Sequence, residues 1–308
     1  MAGYKLATYQ LMGAPPRAGI VVDEAVFDAA GLTAHPPYMS VLNILEDWQV
    51  ANEVLRAAAG KASATTKGVP LKQARLRSPV LWPSAIYCAG ANYSDHAAEM
   101  AKRANRPPEP DPKSLGLKPW HFIKASRSLA DPGATVTASR YTKKLDWEAE
   151  LAVIIGKPAK NVTVQQALDH VAGYAAANDL SARDLSRRLQ VSETSAFKSD
   201  WTAQKSFDGA CPLGPWIVPA QDIPDPHNLA IRLWVNDVIK QDSNTGKMIH
   251  SIAEQIAHLS TGMTLHPGDV ILTGTPAGVG SARNEYLQPG DVVKIEIERI
   301  GTLSNKLA

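Results

Sequence analysis

Cysteine is scarce in this chain of 308 residues, which contains only Cys88 and Cys211. The two stand alone, without Cys-x-x-Cys spacing, and isolated thiols favour a reducing compartment over a disulfide framework. No apolar stretch approaches the roughly 20 residues of a membrane span. The opening MAGYKLATYQL has neither the basic start nor the long apolar run of a signal peptide. We therefore expect a cytoplasmic protein with no membrane partner.

A strong excess of charge is also missing. Lysine and arginine number 32 against 30 aspartates and glutamates, which gives a formal net charge of +2. Because no dense basic run occurs either, the balance argues against a nucleic-acid partner. Hydrophobic residues make up 44% of the sequence, so the chain can bury the core of one large domain, or of a large and a small one.

Turn residues divide the chain into two parts. Short apolar runs before residue 35 predict strands, and the spacing of apolar residues over 40–60 predicts a helix ending at Gly60. A polar, basic stretch at 61–80 reads as a linker. We therefore place a small N-terminal α/β domain at 1–78 and a larger domain at 79–308.

The second half of the chain is mainly β in pattern. From residue 210 onward apolar runs alternate with turns, and the sequence Pro-Gly-Asp-Val begins a strand at both 267 and 289. Few helical patterns interrupt these strands. The prediction is an α+β fold with antiparallel or mixed sheets rather than a series of βαβ units.

Three acids occupy alternate positions in LDWEAELAVIIG, residues 145–156. Alternate side chains of a strand share one face, so Asp146, Glu148 and Glu150 are expected to lie together. The apolar LAVIIG that follows predicts burial on both faces, and buried carboxylates need a cation. Carboxylate oxygens suit Mg²⁺, Mn²⁺ or Ca²⁺ better than zinc. The residues alone leave a metal site and a stripe paired with lysine or arginine equally open.

Two further clusters are candidates. Asp179 in NDLSARD follows the apolar AGYAAA at the end of a predicted strand, where it could be a third ligand or a helix N-cap. His96 and Glu99 in NYSDHAAEM are three residues apart, and hence neighbours on one helix face. A carboxylate there can orient an imidazole as a general base, although an ordinary surface pair is the alternative.

Two loops complete the set. Residues 106–120 contain five prolines, which predicts a functional flap or a disordered segment. ILTGTPAGVG, residues 271–280, is a glycine-rich loop after a strand, without the spacing of a nucleotide-binding motif. We expect it to present backbone N–H groups and the Thr275 hydroxyl to an anionic substrate, a simple turn being the alternative.

Taken together and in this order, these stretches resemble the fumarylacetoacetate hydrolase family. The matching segments are GANYSDHAAEM (90–100), DWEAELAVIIGK (146–157), GYAAANDLSARD (173–184), QKSFDGACPLGPWIVP (204–219) and LTGTPAGVG (272–280). Each motif is weak alone, and five in order are specific. The likeness runs from about residue 80 to the end of the chain, and the N-terminal part is similar to the small domain that many members carry.

The resemblance implies a mixed β-roll catalytic domain, usually in a homodimer, with a divalent metal held by carboxylates. On that likeness the metal is Mg²⁺, or else Mn²⁺ or Ca²⁺. The residues at the matching ligand positions are Glu148, Glu150 and Asp179.

The resemblance also implies roles for five other side chains. His96 and Glu99 match the family's catalytic dyad, which is carried on a lid over the substrate. Lys205, in QKSF, matches a lysine that contacts the substrate's oxygens. Arg183 and Thr275 match substrate-binding positions.

The implied reaction is hydrolysis of a C–C bond in a small diketo acid such as an acylpyruvate. His96, oriented by Glu99, would deprotonate a water that attacks the distal carbonyl, and the metal and Lys205 would stabilise the pyruvate enolate that leaves. Decarboxylation, isomerisation and hydration use the same site in this family and remain alternatives. A non-catalytic metal-binding protein is a third possibility, against which the His96–Glu99 pair and Lys205 count.

Overall fold

A computed structural model gives the fold of residues 3–65 and 68–308. Its strands are β1 (Lys5–Gln10), β2 (Arg17–Val22), β3 (Ala25–Asp28), β4 (Val69–Pro70), β5 (Arg75–Arg77), β6 (Ile86–Ala89), β7 (His121–Lys124), β8 (Leu129–Ala130), β9 (Thr135–Val136), β10 (Leu145–Asp146), β11 (Ala149–Ile155), β12 (Val171–Asn178), β13 (Ser181–Ala182), β14 (Cys211–Pro219), β15 (Ala230–Val235), β16 (Val238–Asn244), β17 (Val270–Leu272), β18 (Val292–Ile297) and β19 (Gly301–Leu307). Its α-helices are α1 (Ala29–Thr33), α2 (Val41–Glu46), α3 (Trp48–Thr65), α4 (Ser94–Arg103), α5 (Val164–Ala167), α6 (Trp201–Lys205), α7 (Ile252–Gly262) and α8 (Gly280–Arg283).

The strands of these ranges form three sheets. The largest follows the order β4-β3-β2-β1-β14-β12-β11-β17-β6-β7, with β5 added beside β1 and β8 beside β14. A second has the order β16-β15-β18-β19-β9, and β10 pairs with β13. Most neighbours are antiparallel, whereas β17 runs parallel to β6, β19 to β9 and β14 to β8. This mixture, with few helices, confirms the predicted α+β class.

The N-terminal region shares the largest sheet with the rest of the chain. Leu6 of β1 lies opposite Ile217 of β14 in an antiparallel pair. The division at residue 78 stays a prediction, and the sheet itself continues across it.

The predicted helix end at Gly60 is wrong. Two helices, α2 and α3, replace the single helix predicted over 40–60, and α3 continues to Thr65. Gly60 is exposed, and a glycine at such a position costs a helix only about 1 kcal/mol relative to alanine, which the packing of α3 outweighs. The predicted linker 61–80 therefore holds the end of α3 together with β4 and β5, and its residues 66 and 67 lie outside the described ranges.

Strand β11 lies between two hydrophobic cores. Its odd-numbered residues, such as Leu151 and Val153, pack in a core that includes the second sheet. Its even-numbered residues Ala152 and Ile154 pack in a core shared with the N-terminal strands and helices. The predicted burial of both faces is confirmed, and Glu150 lies on the even-numbered face, at the edge of the second core.

Both cysteines are buried free thiols. Burial raises the pKa of Cys88 well above its ordinary value and that of Cys211 to about 12, so both stay protonated. Within residues 3–65 and 68–308, no helix combines the length and the apolar character that crossing a bilayer requires.

Leu6→Ala tests the joint between β1 and β14. Leu6 is fully buried, so the truncation should lower the free energy of unfolding by about 2–5 kcal/mol. Urea unfolding followed by circular dichroism measures the change, with the fully exposed Met12→Ala as the control. One transition shifted as a whole is expected; a separate early transition would show that the N-terminal part unfolds on its own.

Candidate functional site

Three carboxylates meet where β11 and β12 lie side by side. One oxygen from each of Glu148, Glu150 and Asp179 lies within 4.8 Å of the others, and all three residues are buried. The strand pairing produces this arrangement, because Ala149 lies opposite Asn178 and the Asp179 N–H donates to the Glu148 carbonyl at 2.9 Å. The side chains predicted as metal ligands are therefore brought together, and we call them the acidic triad.

Two buried lysines contact the acidic triad. The Lys205 ammonium donates to Glu148 Oε2 and to Asp179 Oδ2, both at 2.6 Å. Lys124 donates to Asp179 Oδ1 at 2.5 Å and to the Leu180 carbonyl at 3.2 Å. The sequence motifs did not indicate Lys124 as a site residue. Its position in HFIK, where it alternates with Phe122 along a short strand, is the feature of the sequence that could have indicated it.

Arg183 joins a fourth carboxylate to the acidic triad. Its guanidinium donates to Asp146 Oδ2 at 2.8 Å and to Glu148 Oε1. Asp146 also accepts the N–H groups of Gly280 at 2.6 Å and Ser281 at 3.0 Å. Asp146 therefore lies beside the triad rather than in it. Arg183 remains a predicted substrate-binding residue whose guanidinium is already held by two protein carboxylates.

Formal charges around the triad do not cancel. Each of the four carboxylates carries −1 when ionised, and the three basic groups in contact with them carry +1 each, which leaves −1. The carboxylates are Asp146, Glu148, Glu150 and Asp179, and the basic groups are Lys124, Arg183 and Lys205.

Glu150 is the carboxylate of the triad that has no cationic partner among the described residues. Its Oε2 accepts the Gly274 N–H at 2.7 Å, and in the described part of the chain no hydrogen bond or ion pair joins it to a lysine or arginine. Burial raises its pKa well above the ordinary value, and the charges of Asp179 and Glu148 raise it further.

Glu148 behaves oppositely because its partners are cations. Burial alone would raise its pKa, but the charges of Arg183 and Lys205 outweigh burial and lower the pKa to about 2. The pKa of Lys205 rises in return, since the charges of Asp179 and Glu148 exceed the effect of burial. Glu148 and Lys205 are therefore both ionised at neutral pH.

His96 and Glu99 lie one turn apart on α4, as predicted. The Nδ1 atom of His96 is 3.5 Å from Glu99 Oε2, and both Glu99 oxygens lie 3.0 Å from the donating N–H of Gly278. Among the described residues no hydrogen bond reaches His96 Nδ1, so Glu99 lies beside the imidazole without a hydrogen bond to it. The helix is confirmed, and the role of the pair stays a prediction.

The loop after β17 connects this pair to the acidic triad. Gly274 binds Glu150 through its N–H, and four residues later Gly278 binds Glu99. Both glycines have positive φ, +96° and +102°. A Cβ on Gly278 would lie 2.1 Å from the Lys240 carbonyl oxygen, so only glycine fits there.

The expected substrate-facing donors of this loop already bind the protein. The Thr275 hydroxyl donates to the Ala149 carbonyl at 2.9 Å and accepts from Gln241 Nε2 at 2.9 Å. The Ala277 N–H donates to Asp95 Oδ1 at 3.3 Å. Protein carboxylates thus accept the N–H groups of Gly274, Ala277 and Gly278, and the presentation of loop N–H groups and of the Thr275 hydroxyl to an anionic substrate stays a prediction.

A cavity of about 630 Å³ lies between α4 and the proline-rich segment 106–120. His96 lines it, together with mainly apolar side chains such as Met100, Pro108, Met248 and Ile249. Lys113, within the proline-rich segment, donates to Glu254 of α7 at 2.7 Å and anchors the segment there. The segment therefore passes beside the predicted base, and its role as a flap stays a prediction.

The chain is similar to known proteins over most of its length. Residues 85–308 match the family model described as fumarylacetoacetate (FAA) hydrolase C-terminal. A mitochondrial oxaloacetate tautomerase of Xenopus laevis is 36% identical over 304 residues, covering 98% of this chain and 89% of that protein.

Two solved structures extend the comparison. Maleylpyruvate hydrolase from Sphingobium sp. SYK-6, in complex with manganese (II) ion and pyruvate, matches with a TM-score of 0.74 at 30% identity, covering 99% of this chain and 98% of that one. The 2-hydroxyhepta-2,4-diene-1,7-dioate isomerase of Mycobacterium marinum has a TM-score of 0.63 at 37% identity, covering 79% of this chain and 81% of that one.

Lys124→Met tests the unpredicted lysine. Removing one partner of a buried ion pair leaves Asp179 with less compensation, so the free energy of unfolding should fall by about 3–5 kcal/mol in EDTA. Adding Asp179→Asn should recover part of that loss, because the stranded charge is then removed. Urea unfolding measures both, with the exposed Lys157→Met as the control. A loss as small as that of the control would mean that Lys124 does not compensate Asp179.

Proposed function

Because the chain belongs to the fumarylacetoacetate hydrolase family, we propose that it is a divalent-metal-dependent hydrolase of an acylpyruvate-like diketo acid, cleaving a C–C bond. The observation that carries the proposal is the buried acidic triad with the Lys205 ammonium 2.6 Å from two of its members. This arrangement combines a site for a hard cation with a fixed positive charge for a developing oxyanion.

The donor set fits a divalent ion. All three donors of the triad are carboxylate oxygens, the groups that Mg²⁺, Mn²⁺ and Ca²⁺ prefer, and a cation there would favour the ionised form of Glu150, which burial and its acidic neighbours disfavour. We propose that Glu148, Glu150 and Asp179 hold Mg²⁺, with Mn²⁺ and Ca²⁺ as alternatives; the manganese in the maleylpyruvate hydrolase structure supports this class of ion. When bound, the ion would supply Lewis acidity to the 2-oxo acid end of the substrate.

Lys205 is the proposed catalytic cation. Its pairing with Glu148 and Asp179 keeps it protonated and fixes the position of its ammonium group. There it can compensate the charge that gathers on the enolate oxygen as the C–C bond breaks. Arg183 and Thr275, which contact Glu148 and Ala149, are the proposed substrate-binding residues.

His96 is the proposed general base, and Glu99, whose Oε2 lies 3.5 Å from His96 Nδ1, is the proposed partner that orients it. His96 takes a proton from water, and the water oxygen bonds to the distal carbonyl carbon. The bond to the pyruvate carbon then breaks, its electron pair remains on the pyruvate part as the enolate, and the imidazolium returns the proton to that carbon. One water and one diketo acid become a carboxylic acid and pyruvate, with no redox partner.

A second candidate is keto–enol tautomerisation of oxaloacetate. The name of the Xenopus laevis relative, which covers nearly the whole chain, favours it. This reaction needs only proton transfer between carbon and oxygen, for which the same base and ammonium suffice, and it consumes no water. Decarboxylation, isomerisation and hydration are weaker alternatives, of which the Mycobacterium marinum isomerase supports isomerisation.

We further propose that the protein is a cytoplasmic homodimer that acts on a small keto acid and binds neither nucleic acid nor membranes. The two free buried thiols and the net charge of +2 support the compartment and the absence of a polyanionic partner. Light scattering that gives the mass of a single chain would exclude the dimer.

Glu150→Gln tests the metal site. The variant loses a charged oxygen ligand, so its affinity for Mn²⁺ should fall at least about 100-fold, the scale on which even outer groups of metal sites act. Titration calorimetry on EDTA-stripped protein measures the affinity, with Glu285→Gln, a half-exposed glutamate paired with Lys240, as the control. Unchanged Mn²⁺ binding by Glu150→Gln would show that Glu150 is not a metal ligand.

His96→Gln tests the base. Turnover of an acylpyruvate by the Mn²⁺-loaded variant should fall by about 10²–10⁴-fold, while Mn²⁺ affinity stays at the wild-type value. The assay follows formation of the two acids, with CO₂ release and oxaloacetate tautomerisation measured in parallel, and the exposed His266→Gln is the control. Lost Mn²⁺ binding would mean that His96 is misplaced. Tautomerisation without any acid product in wild-type protein would favour the second candidate.

A further inference from the structure

Three aromatic side chains form a cluster that opens to solvent. The ring centroids of Trp120 and Trp201 are 5.1 Å apart, those of Phe122 and Trp201 5.3 Å, and those of Trp120 and Phe122 5.8 Å. Trp120 is 49% exposed and Trp201 42%. Two tryptophans half in solvent, on one cluster, form a ready surface for a planar apolar group. We call these three residues the ring cluster.

The ring cluster adjoins the candidate active site. The Lys205 ammonium, which touches the acidic triad, is 5.0 Å from the centroid of the Phe122 ring. Phe122 and Lys124 alternate along β7, so they lie on the same face, and Lys124 contacts Asp179. Trp201 and Lys205 are four residues apart on α6, hence on one side of that helix.

Close packing holds Trp120 in place. Its six-membered ring lies so near Gly90 that a Cβ on that residue would be 1.6 Å from Cζ3, and the Gly90 N–H donates to the Trp120 carbonyl at 3.0 Å. Gly90 directly precedes the segment that leads into α4, the helix of His96. Trp120 therefore contacts the segment before the proposed base and, through Phe122 and Trp201, the proposed cation.

The charges nearby do not favour a second carboxylate. The cavity beside His96 is lined by two side chains that are always cationic, Arg106 and Lys113. Each is already paired at 2.7 Å, Arg106 with Glu109 and Lys113 with Glu254. A distal carboxylate would compete with Glu109 or Glu254 for one of these cations, whereas a neutral apolar group would not.

We propose that the ring cluster binds the distal substituent of the substrate and selects acylpyruvates that carry a planar aryl group over those that carry a methyl group or a carboxylate. This inference rests on the proposed function, because it assumes that the 2-oxo acid end of the substrate lies at the triad and Lys205. Stacking against Trp120 and Trp201 supplies the preference for an aryl group. Arg106 and Lys113 already have carboxylate partners, so they add little affinity for the second carboxylate of a dicarboxylic substrate.

The test compares wild type, Trp120→Ala and the control Trp82→Ala. Trp82 is 55% exposed and stacks under Arg127 outside the ring cluster. For the Mn²⁺-loaded proteins, kcat/KM is measured with benzoylpyruvate and acetylpyruvate. The ratio of the two values should fall about tenfold in Trp120→Ala and stay at the wild-type value in Trp82→Ala. An unchanged ratio, or an equal loss with both substrates, overturns the inference.

Binding separates this inference from the proposed function. Titration calorimetry compares phenylpyruvate with pyruvate on the same Mn²⁺-loaded proteins, where no hydrolysis can occur. If wild type hydrolyses no acylpyruvate but binds phenylpyruvate more tightly in a Trp120-dependent way, the proposed reaction fails and the ring cluster stands as the apolar subsite. If Trp120→Ala changes neither preference and instead converts a dimer to a monomer in light scattering, the cluster is a subunit contact and the inference fails.

Discussion

Burial of four carboxylates at one end of β11 is the constraint on which the rest of the site depends. Ionised carboxylates in a protein interior are stable only when cations and hydrogen bonds compensate them. The cations here come from three separate stretches of chain, Lys124 from β7, Lys205 from α6 and Arg183 from the segment after β13. The site can therefore form only when these stretches dock against β11 and β12, which makes assembly of the site part of folding the core.

Backbone N–H groups also stabilise the acids of the site by donating hydrogen bonds to them. The loop after β17 gives the Gly274 N–H to Glu150 and the Gly278 N–H to Glu99, so one short segment fixes an acid of the triad and the acid beside the proposed base. Its glycines are required by geometry, since both have positive φ and one lies against the Lys240 carbonyl. A loop that resembles an anion-binding motif thus binds anions that belong to the protein, and it couples the positions of two functional groups.

The sequence predicted the parts of the site that follow from local periodicity. Alternation along 145–156 indicated Glu148 and Glu150 on one face, and helical spacing indicated that His96 and Glu99 are neighbours; both are confirmed. The resemblance to a known family identified Asp179 and Lys205, which residue patterns alone left ambiguous. Lys124 alternates with Phe122 in HFIK, but this pattern does not indicate its partner, because the pairing with Asp179 spans 55 positions of the sequence.

Long-range pairing also explains what the fold prediction lacked. The strand alternation of 5–10 indicates a strand but not its neighbour, and the pairing of β1 with β14 depends on the registry of two segments about 200 residues apart. At Gly60 the local sequence predicted the end of a helix. Helix α3 continues past it to Thr65, because the packing of the helix outweighs the low helix propensity of glycine. The sequence also does not indicate which N–H groups of the loop are free for a ligand. That depends on the positions of distant acids such as Asp95 and Glu99, which accept two of them.

Charge balance bears on the two proposed substrates, an acylpyruvate and oxaloacetate. The four acids and three basic groups leave −1, and a divalent cation among them would change the sum to +1. A monoanionic acylpyruvate brings this sum to zero, whereas dianionic oxaloacetate brings it to −1 in a buried site, where an uncompensated charge is costly. Oxaloacetate would need one more cation near its distal end, and Arg106 and Lys113 in the adjoining cavity are already paired. By this count the proposed metal-loaded site balances one substrate carboxylate without a further cation, and the reaction steps proposed around Lys205 and His96 suit both substrates.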